Sequence, residues 1–251
     1  RMRGEKQVSK KTRIEVVTEG VLIKMIQNDP ELKNIDCIIF DEFHERSLNA
    51  DLGLTFCLEI RSELRKDLGI LIMSATLDAA PVAKLMGNAP VITSLGKSYD
   101  VHPYYLSKPW NFNINQKNNF IQAISDLIIR ALQENEGSIL AFLPGAGEIK
   151  QLQAFLKPKL PNDLDIRPLY GAMSFDEQQK AILPSQRRKL ILATSIAETS
   201  LTIKDIRIVI DGGLTRRSRF DPSSGMSRLV TEKVTKAEAT QRMGRAGRTN
   251  T

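Results

Sequence analysis

The sequence predicts an α/β fold in two halves, each a parallel sheet covered by helices. Three observations carry this prediction. Short apolar runs without polar alternation, such as Cys37–Phe40, Leu68–Met73 and Ser138–Leu143, fit parallel strands buried on both faces. These runs alternate with segments of helical period, the pattern of right-handed βαβ crossovers. Between the halves the composition changes. The stretch 95–116 is rich in Gly, Pro, Lys and Asn and holds the only tryptophan, Trp110, which reads as a packing anchor near a domain junction.

A length of 251 residues suits about two domains. The expected division is a first domain over 1–96, a linker over 97–116 and a second domain over 117–251. An apolar fraction of 41% supports a real core, and 26% charged residues suit a soluble surface. Lys and Arg number 36 against 29 Asp and Glu, a net charge of +7 that mildly favours a polyanionic partner. The two cysteines, Cys37 and Cys57, lie in apolar segments without metal-ligand spacing; they read as reduced core residues, which suits a cytoplasmic protein. The apolar runs are too short to span a bilayer, so no membrane partner is expected.

In chain order, Thr12–Val17 reads as a strand. Thr18-Glu19-Gly20 then opens a helix that closes before Pro30. After the strand at Cys37, a helix is expected over Ser47–Leu64, with Leu48, Leu52, Phe56 and Ile60 at helical spacing. The strand Leu68–Met73 ends in Ser74-Ala75-Thr76. A short helix over Asp78–Met86 and a strand over Pro90–Thr93 complete the first half, and Val101–Leu106 reads as a strand inside the linker. In the second half, helices are expected over Phe120–Leu132, from Pro144-Gly145-Ala146-Gly147-Glu148 to Pro158, over Phe175–Ile182 and over Thr235–Met243. Strands are expected at Ile166–Tyr170, Lys189–Ala193 and Ile206–Ile210. Two β-prone flanks around Asp221-Pro222-Ser223-Ser224-Gly225 predict a hairpin over about 211–233 carrying Arg216, Arg217, Arg219 and Arg228.

Two stretches point to chemistry. The apolar run Cys37–Phe40 ends in adjacent carboxylates, Asp41 and Glu42, followed by Phe43 and His44. Ligands of open α/β sheets sit beyond the carboxyl ends of the strands. There an acidic pair suits a Mg2+-nucleotide site, one carboxylate holding the ion partly through water and the other polarising the attacking water. A strand end with solvated charges would look the same. The second stretch is Gln241-Arg242-Met243-Gly244-Arg245-Ala246-Gly247-Arg248. Its three arginines recur every third residue and would share a face on helical backbone. Glycine between them admits a polyphosphate, and guanidinium groups bind phosphate oxygens bidentately. A basic tail is the plainer reading.

The ordered series is more specific than either stretch. Thr18-Glu19-Gly20, Asp41-Glu42-Phe43-His44, Ser74-Ala75-Thr76, Phe142-Leu143-Pro144-Gly145, Thr194 to Thr202 and Gln241 to Arg248 together resemble the superfamily 2 helicases of the DEAH/DExH-box class. Asp41 to Leu48 resembles the bacterial HrpB-type ATP-dependent RNA helicases. The resemblance implies two RecA-like domains of the P-loop NTPase class, with ATP between them, Mg2+ as cofactor and RNA as partner. It makes Asp41 and Glu42 the ion-coordinating and water-activating pair, His44 the link to the coupling residues Ser74, Ala75 and Thr76, and Gln241, Arg245 and Arg248 the γ-phosphate sensors. Arg242 is implied to be structural. Thr199 matches a nucleotide contact. Thr18, Glu19, Gly20, Gly145, Thr194 and Ser200 match contacts to a nucleic-acid backbone, which position a strand without reading its bases. Arg217 and Arg219 of the hairpin are further nucleic-acid candidates.

Phe43 stands where the class name has alanine, and its side chain is expected to point into the sheet. The sequence holds no Gly-x-x-x-x-Gly-Lys-Ser/Thr loop. The family carries that loop ahead of the residues matched here, so it is expected upstream of Arg1, and both domains are expected to be incomplete in a piece that by itself is inactive. A non-catalytic nucleic-acid-binding module and a DNA translocase of the same superfamily are the alternatives. Taken alone Glu198 reads as a surface carboxylate, and the ordered series favours its place in the motif.

Overall fold

The computed structural model describes residues 8–75, 79–94, 99–106, 117–161, 163–198 and 203–248. The chain divides into two compact units, Arg1–Ser94 and Leu95–Thr251. No helix among the described residues is long and apolar enough to cross a membrane.

The first unit runs α1 (Glu19–Asn28), β1 (Cys37–Phe40), α2 (Leu48–Glu63), β2 (Gly69–Ile72) and α3 (Ala80–Leu85). β1 and β2 form a two-stranded parallel sheet, with Cys37 opposite Gly69 and Phe40 opposite Ile72. Leu22 and Ile26 of α1, Leu54, Cys57 and Ile60 of α2, and Ile38, Phe40 and Leu68 make one core. Ser47 caps α2 by accepting from the Ala50 N–H at 3.0 Å.

Several expectations fail here, each for a physical reason. β1 is covered on one face only: Ile38 and Phe40 are buried, while Cys37 and Ile39 face outward, and among the described residues only one helical layer packs on the sheet. Cys37 is therefore not a core residue. Cys57 is, and burial pushes its thiol up to about 11. The expected stripe Leu48, Leu52, Phe56 and Ile60 is not the buried one, since Leu48 is 83% exposed. The buried stripe is Ala50, Gly53, Leu54, Cys57 and Ile60. Small residues win because the helix lies close to its neighbours: a Cβ on Gly53 would already touch Leu22 and Phe40. Thr12–Val17, Pro90–Thr93 and Val101–Leu106 belong to none of the sheets formed among the described residues. A strand needs a partner for its N–H and C=O groups, and β-prone residues alone do not supply one. Trp110 and the start of the helix expected at Asp78 lie outside the described residues.

The second unit runs α4 (Lys117–Glu134), β3 (Ser138–Phe142), α5 (Ala146–Leu156), β4 (Asp165–Leu169), α6 (Phe175–Ile182), β5 (Lys189–Ala193), β6 (Ile206–Asp211), β7 (Leu214–Asp221), β8 (Met226–Lys233) and α7 (Lys236–Met243). Four parallel strands lie in the order β4-β5-β3-β6. Every residue of β3 and β5 is buried. Alternate side chains enter two cores. Ile139, Ala141, Leu190 and Leu192 meet α4 and α5, while Leu140, Phe142, Ile191 and Ala193 meet Ala181, Ala197 and Ile203. β7 and β8 form the expected antiparallel hairpin, Leu214 opposite Lys233 and Asp221 opposite Met226. Its turn is set by Asp221, whose Oδ1 accepts from the Ser223 N–H (3.0 Å) and hydroxyl (2.6 Å), and by Gly225 at φ 66°.

Candidate functional site

In the first unit the candidate residues gather where β1 and β2 end. Main-chain bonds fix the edge: Met73 N–H donates to the Phe40 carbonyl at 2.8 Å, and Phe43 N–H to the Met73 carbonyl at 3.0 Å. Between them the chain turns sharply. Phe43–Glu45 is one turn of 3-10 helix, flanked by Glu42 at φ 49° and Arg46 at φ 52°. Left-handed backbone at a non-glycine residue stores strain, and two such residues hold this turn against the sheet edge. Phe43 is the anchor. It is buried, meets Phe40 edge-to-face at 6.1 Å, and carries the Arg46 guanidinium 5.6 Å above its ring. Its side chain points inward, as expected for the residue in the alanine position.

This anchoring presents the polar residues. Asp41 is exposed, and its Oδ1 accepts from the Glu42 N–H at 2.9 Å. The His44 side chain is nearly buried; its Nδ1 accepts from the Ala75 N–H at 3.3 Å and lies 3.5 Å from Glu42 Oε2. His44 thus bridges the Asp41-Glu42 pair and the Ser74-Ala75 turn, which are brought together as the sequence reading expects. Thr76 lies outside the described residues. Among the described residues no group of three or more His, Cys, Asp or Glu side chains could hold a metal by itself. Hard carboxylate oxygens on Asp41 and Glu42 fit a Mg2+ ion that keeps most of its waters. Thr18 caps the start of α1 without using its hydroxyl there, and the Glu19 carboxylate accepts from the Ser47 hydroxyl at 3.5 Å. Gly20 has open space around its Cα.

In the second unit the matching edge lies beyond β3, β5 and β6. Its centre is Arg242. The side chain is fully buried: Nε donates to Glu198 Oε1 at 2.7 Å, Nη1 to Asp211 Oδ1 at 2.6 Å, and the guanidinium lies 4.8 Å over the Phe142 ring. Burial raises the Glu198 pKa, with the Arg242 charge opposing. The Glu198 carbonyl accepts from Arg245 Nη2. Glu198 is therefore no surface carboxylate. It joins two arginines of the terminal stretch to the loop after β5.

The three arginines do not share one helical face. α7 ends at Met243, and Arg245 and Ala246 continue as tight turns bonded to Arg242 and Met243. Gly247 explains the change of course. Its carbonyl accepts from the Tyr99 N–H at 3.0 Å, and a Cβ there would lie 2.6 Å from the Tyr99 carbonyl. Arg242 and Arg245 end buried, Gln241 half-buried and Arg248 exposed. Thr194 caps a 3-10 turn at the end of β5. Thr199 and Ser200 lie outside the described residues.

Gly145 precedes α5, and a Cβ there would collide with the Arg216 guanidinium. Arg216 reaches this loop from the hairpin and donates to Glu148 Oε1 at 2.7 Å. The hairpin candidates are also engaged. Arg217 donates to Glu238, which itself caps α7 through Thr235, and Arg219 grips Glu232 with two bonds of 2.6 and 2.9 Å. Sequence reasoning misses the links Arg242–Glu198–Asp211 and Arg216–Glu148. A carboxylate directly after buried Ala197 is the one local sign, and it names no partner.

Two parallel-sheet units, one with an acidic pair and the other with an arginine-rich stretch at the strand ends, fit the RecA-like fold class. Residues 1–85 match the family model of the DEAD/DEAH box helicase, and residues 119–250 match the helicase conserved C-terminal domain. The chain belongs to this helicase family. It is 48% identical over 250 residues to the ATP-dependent RNA helicase HrpB of Escherichia coli, covering 99% of this chain and 30% of that protein. It is 37% identical to the ATP-dependent RNA helicase HrpA of the same organism, over 99% of this chain and 19% of that one. A crystal structure of the E. coli DEAH/RHA helicase HrpB superposes with a TM-score of 0.87 at 48% identity, over 98% of this chain and 31% of that one. The chain thus spans under a third of these relatives.

Proposed function

We propose that the whole protein of which this chain is part is an ATP-dependent RNA helicase, cytoplasmic, that couples ATP hydrolysis to movement along RNA and to unwinding. The observation that supports this most is the position of His44, since a turnover site must signal to the strand-binding elements and His44 lies between Glu42 and the Ser74-Ala75 turn. In this reading Asp41 and Glu42 hold Mg2+ partly through water, and the ion, when bound, neutralises charge on the phosphates. Glu42 accepts a proton from the attacking water. Gln241, Arg245 and Arg248 act on the γ-phosphate, Arg248 from an exposed position and Arg245 after exchanging the Glu198 carbonyl for phosphate oxygen. Thr18, Gly20, Thr194 and Ser200 hold the RNA backbone, and the hairpin parts the duplex.

The test is Glu42→Gln in the whole protein. ATP hydrolysis is expected to fall by about 10²-fold or more while nucleotide still binds, because Asp41 is untouched. Near-normal turnover would remove Glu42 from the mechanism. Stimulation of the wild-type rate by RNA and not by DNA at matched salt supports RNA as the partner; the reverse supports a DNA translocase.

A further inference from the structure

The second unit has another built feature at the opposite edge of its sheet, where β3, β5 and β6 begin. A pocket of about 340 Å³ opens there, its walls including Glu136, Arg187, Arg188, Lys189, Asp205 and Arg207. Four cations face two carboxylates, which make no close salt bridge among the described residues but act at longer range, Asp205 on Lys189 and Glu136 on Arg188. Lys189 is 1% exposed, and its ammonium is held only by the carbonyls of Leu183 and Lys204, at 3.4 and 3.3 Å. Arg188 is spent on the carbonyls of Leu132, Asn135 and Gly137 at 3.0, 2.7 and 2.6 Å. Carbonyls satisfy N–H groups without cancelling charge; burial lowers the Lys189 pKa, and the charges of Asp205 and Asp165 oppose that shift. Arg187 and Arg207 are exposed at the mouth, and among the described residues their guanidinium groups make no hydrogen bond or close salt bridge, while the Arg187 charge acts on Asp165.

The loop that shapes this mouth is specific. Gly137 has φ 91°, and a Cβ there would sit 2.6 Å from Arg207 Cδ, so only glycine lets the arginine stem lie across it. Arg188 fixes the same loop from beneath. The result is a polar recess at the low end of ligand-pocket volumes, with the guanidinium forks of two arginines and buried Lys189 among its lining residues. Such forks match the oxygens of a tetrahedral anion and bind it bidentately.

We propose that this pocket is an anion site for a phosphate-bearing ligand, gripped by Arg187 and Arg207 above Lys189. It lies at the other end of β3 and β5 from Thr194, Gly145 and Arg242, and so is separate from the candidate site of this unit. The phosphate belongs either to a small phosphorylated molecule or to a nucleic-acid backbone.

The experiment titrates inorganic pyrophosphate into the isotopically labelled 251-residue chain at fixed ionic strength and follows backbone amides by NMR. Saturable shifts are expected at Gly137, Ser138 and Arg188. Arg187→Gln combined with Arg207→Gln should weaken the affinity by about tenfold or more, since each charged hydrogen bond lost is worth about that factor. Both side chains are exposed, so the fold is retained, and unchanged amides elsewhere verify it. Lys150→Gln with Lys157→Gln removes the same charge from exposed positions, one in α5 and one directly after it, and should leave the affinity as it was. Shifts confined to Gly145, Thr194 and Arg245, or equal weakening in both double variants, would overturn the proposal. A single-stranded RNA oligonucleotide that displaces pyrophosphate at the same amides assigns the phosphate to a polynucleotide; failure to displace it assigns it to a small molecule.

Discussion

β1 and β3 begin from the same kind of sequence and end in different environments. Cys-Ile-Ile-Phe and Ser-Ile-Leu-Ala-Phe are both short apolar runs, yet β3 is buried at every position while β1 is buried only at Ile38 and Phe40. In the second unit two cores meet β3 and β5 from opposite faces; in the first unit one core meets β1 and β2. An apolar run thus reports what a strand tolerates, and the neighbours decide what it receives. The two edges differ in the same way. The first unit presents Asp41 exposed on a strained turn, whereas the second buries Arg242 in a closed ionic network.

The widest separation of the two units should come from Arg242→Ala. Removing one partner strands Glu198 and Asp211 beside an emptied site, and breaking a buried pair costs about 3–5 kcal/mol. Hydrogen exchange should show β3 and β5 amides opening far more readily while β1 amides keep their rates. Equal acceleration in both would mean that the units unfold together and that the contrast between them is only one of burial.

A matched truncation tests the sheet itself. Ile191→Ala in β5 should cost about 2–5 kcal/mol by urea unfolding. Ile39→Ala, at a position 55% exposed, should stay within about 0.5 kcal/mol. A comparable loss for Ile39 would show that the outward face of β1 is covered in solution and would erase the difference drawn here.

What the sequence made legible was local. The acidic pair after an apolar run, the hairpin turn from Asp221 to Gly225 and the alternation of strand and helix all follow from residues a few positions apart. Three β-prone segments in and after the first unit join no sheet among the described residues, and partners are not written in the segment itself. The α2 stripe misled because Leu48 and Leu52 are more apolar than Ala50 and Gly53, while close packing selects the smaller pair. Glu198 and Arg242 lie 44 residues apart, and only the fold of the second unit makes them neighbours. The same holds for Arg216 and Glu148, which meet across the hairpin root.

The smallest expected effect concerns a motif that both units share. In the first, Arg65 binds Asp67 with bonds of 2.8 and 2.6 Å and ties the carbonyls of Glu31 and Leu32. In the second, Arg167 binds Asp165 through Nε at 2.9 Å and ties the carbonyls of Lys180 and Leu183, and Ser185 adds a bond of 3.0 Å to the same carboxylate. The Arg167 hydrogen bond holds Asp165 below the usual carboxylate range, and the Arg65 bond does the same for Asp67. A folded pKa depressed below the unfolded one gives stability that is present above about pH 4 and is lost as pH falls through the folded value. Asp67 is solvent-screened and Asp165 is partly shielded, so the two should separate. Asp165→Asn should lower the urea midpoint of the second unit at pH 7, and the deficit should close as the wild type is acidified below about pH 4. Asp67→Asn should shift the first unit less at pH 7. If both deficits are equal at pH 7, screening at the two sites is alike, and the second unit's extra cover stops short of its rim. If the Asp165 deficit persists unchanged in acid, it arises from lost packing around Ser185 and not from charge.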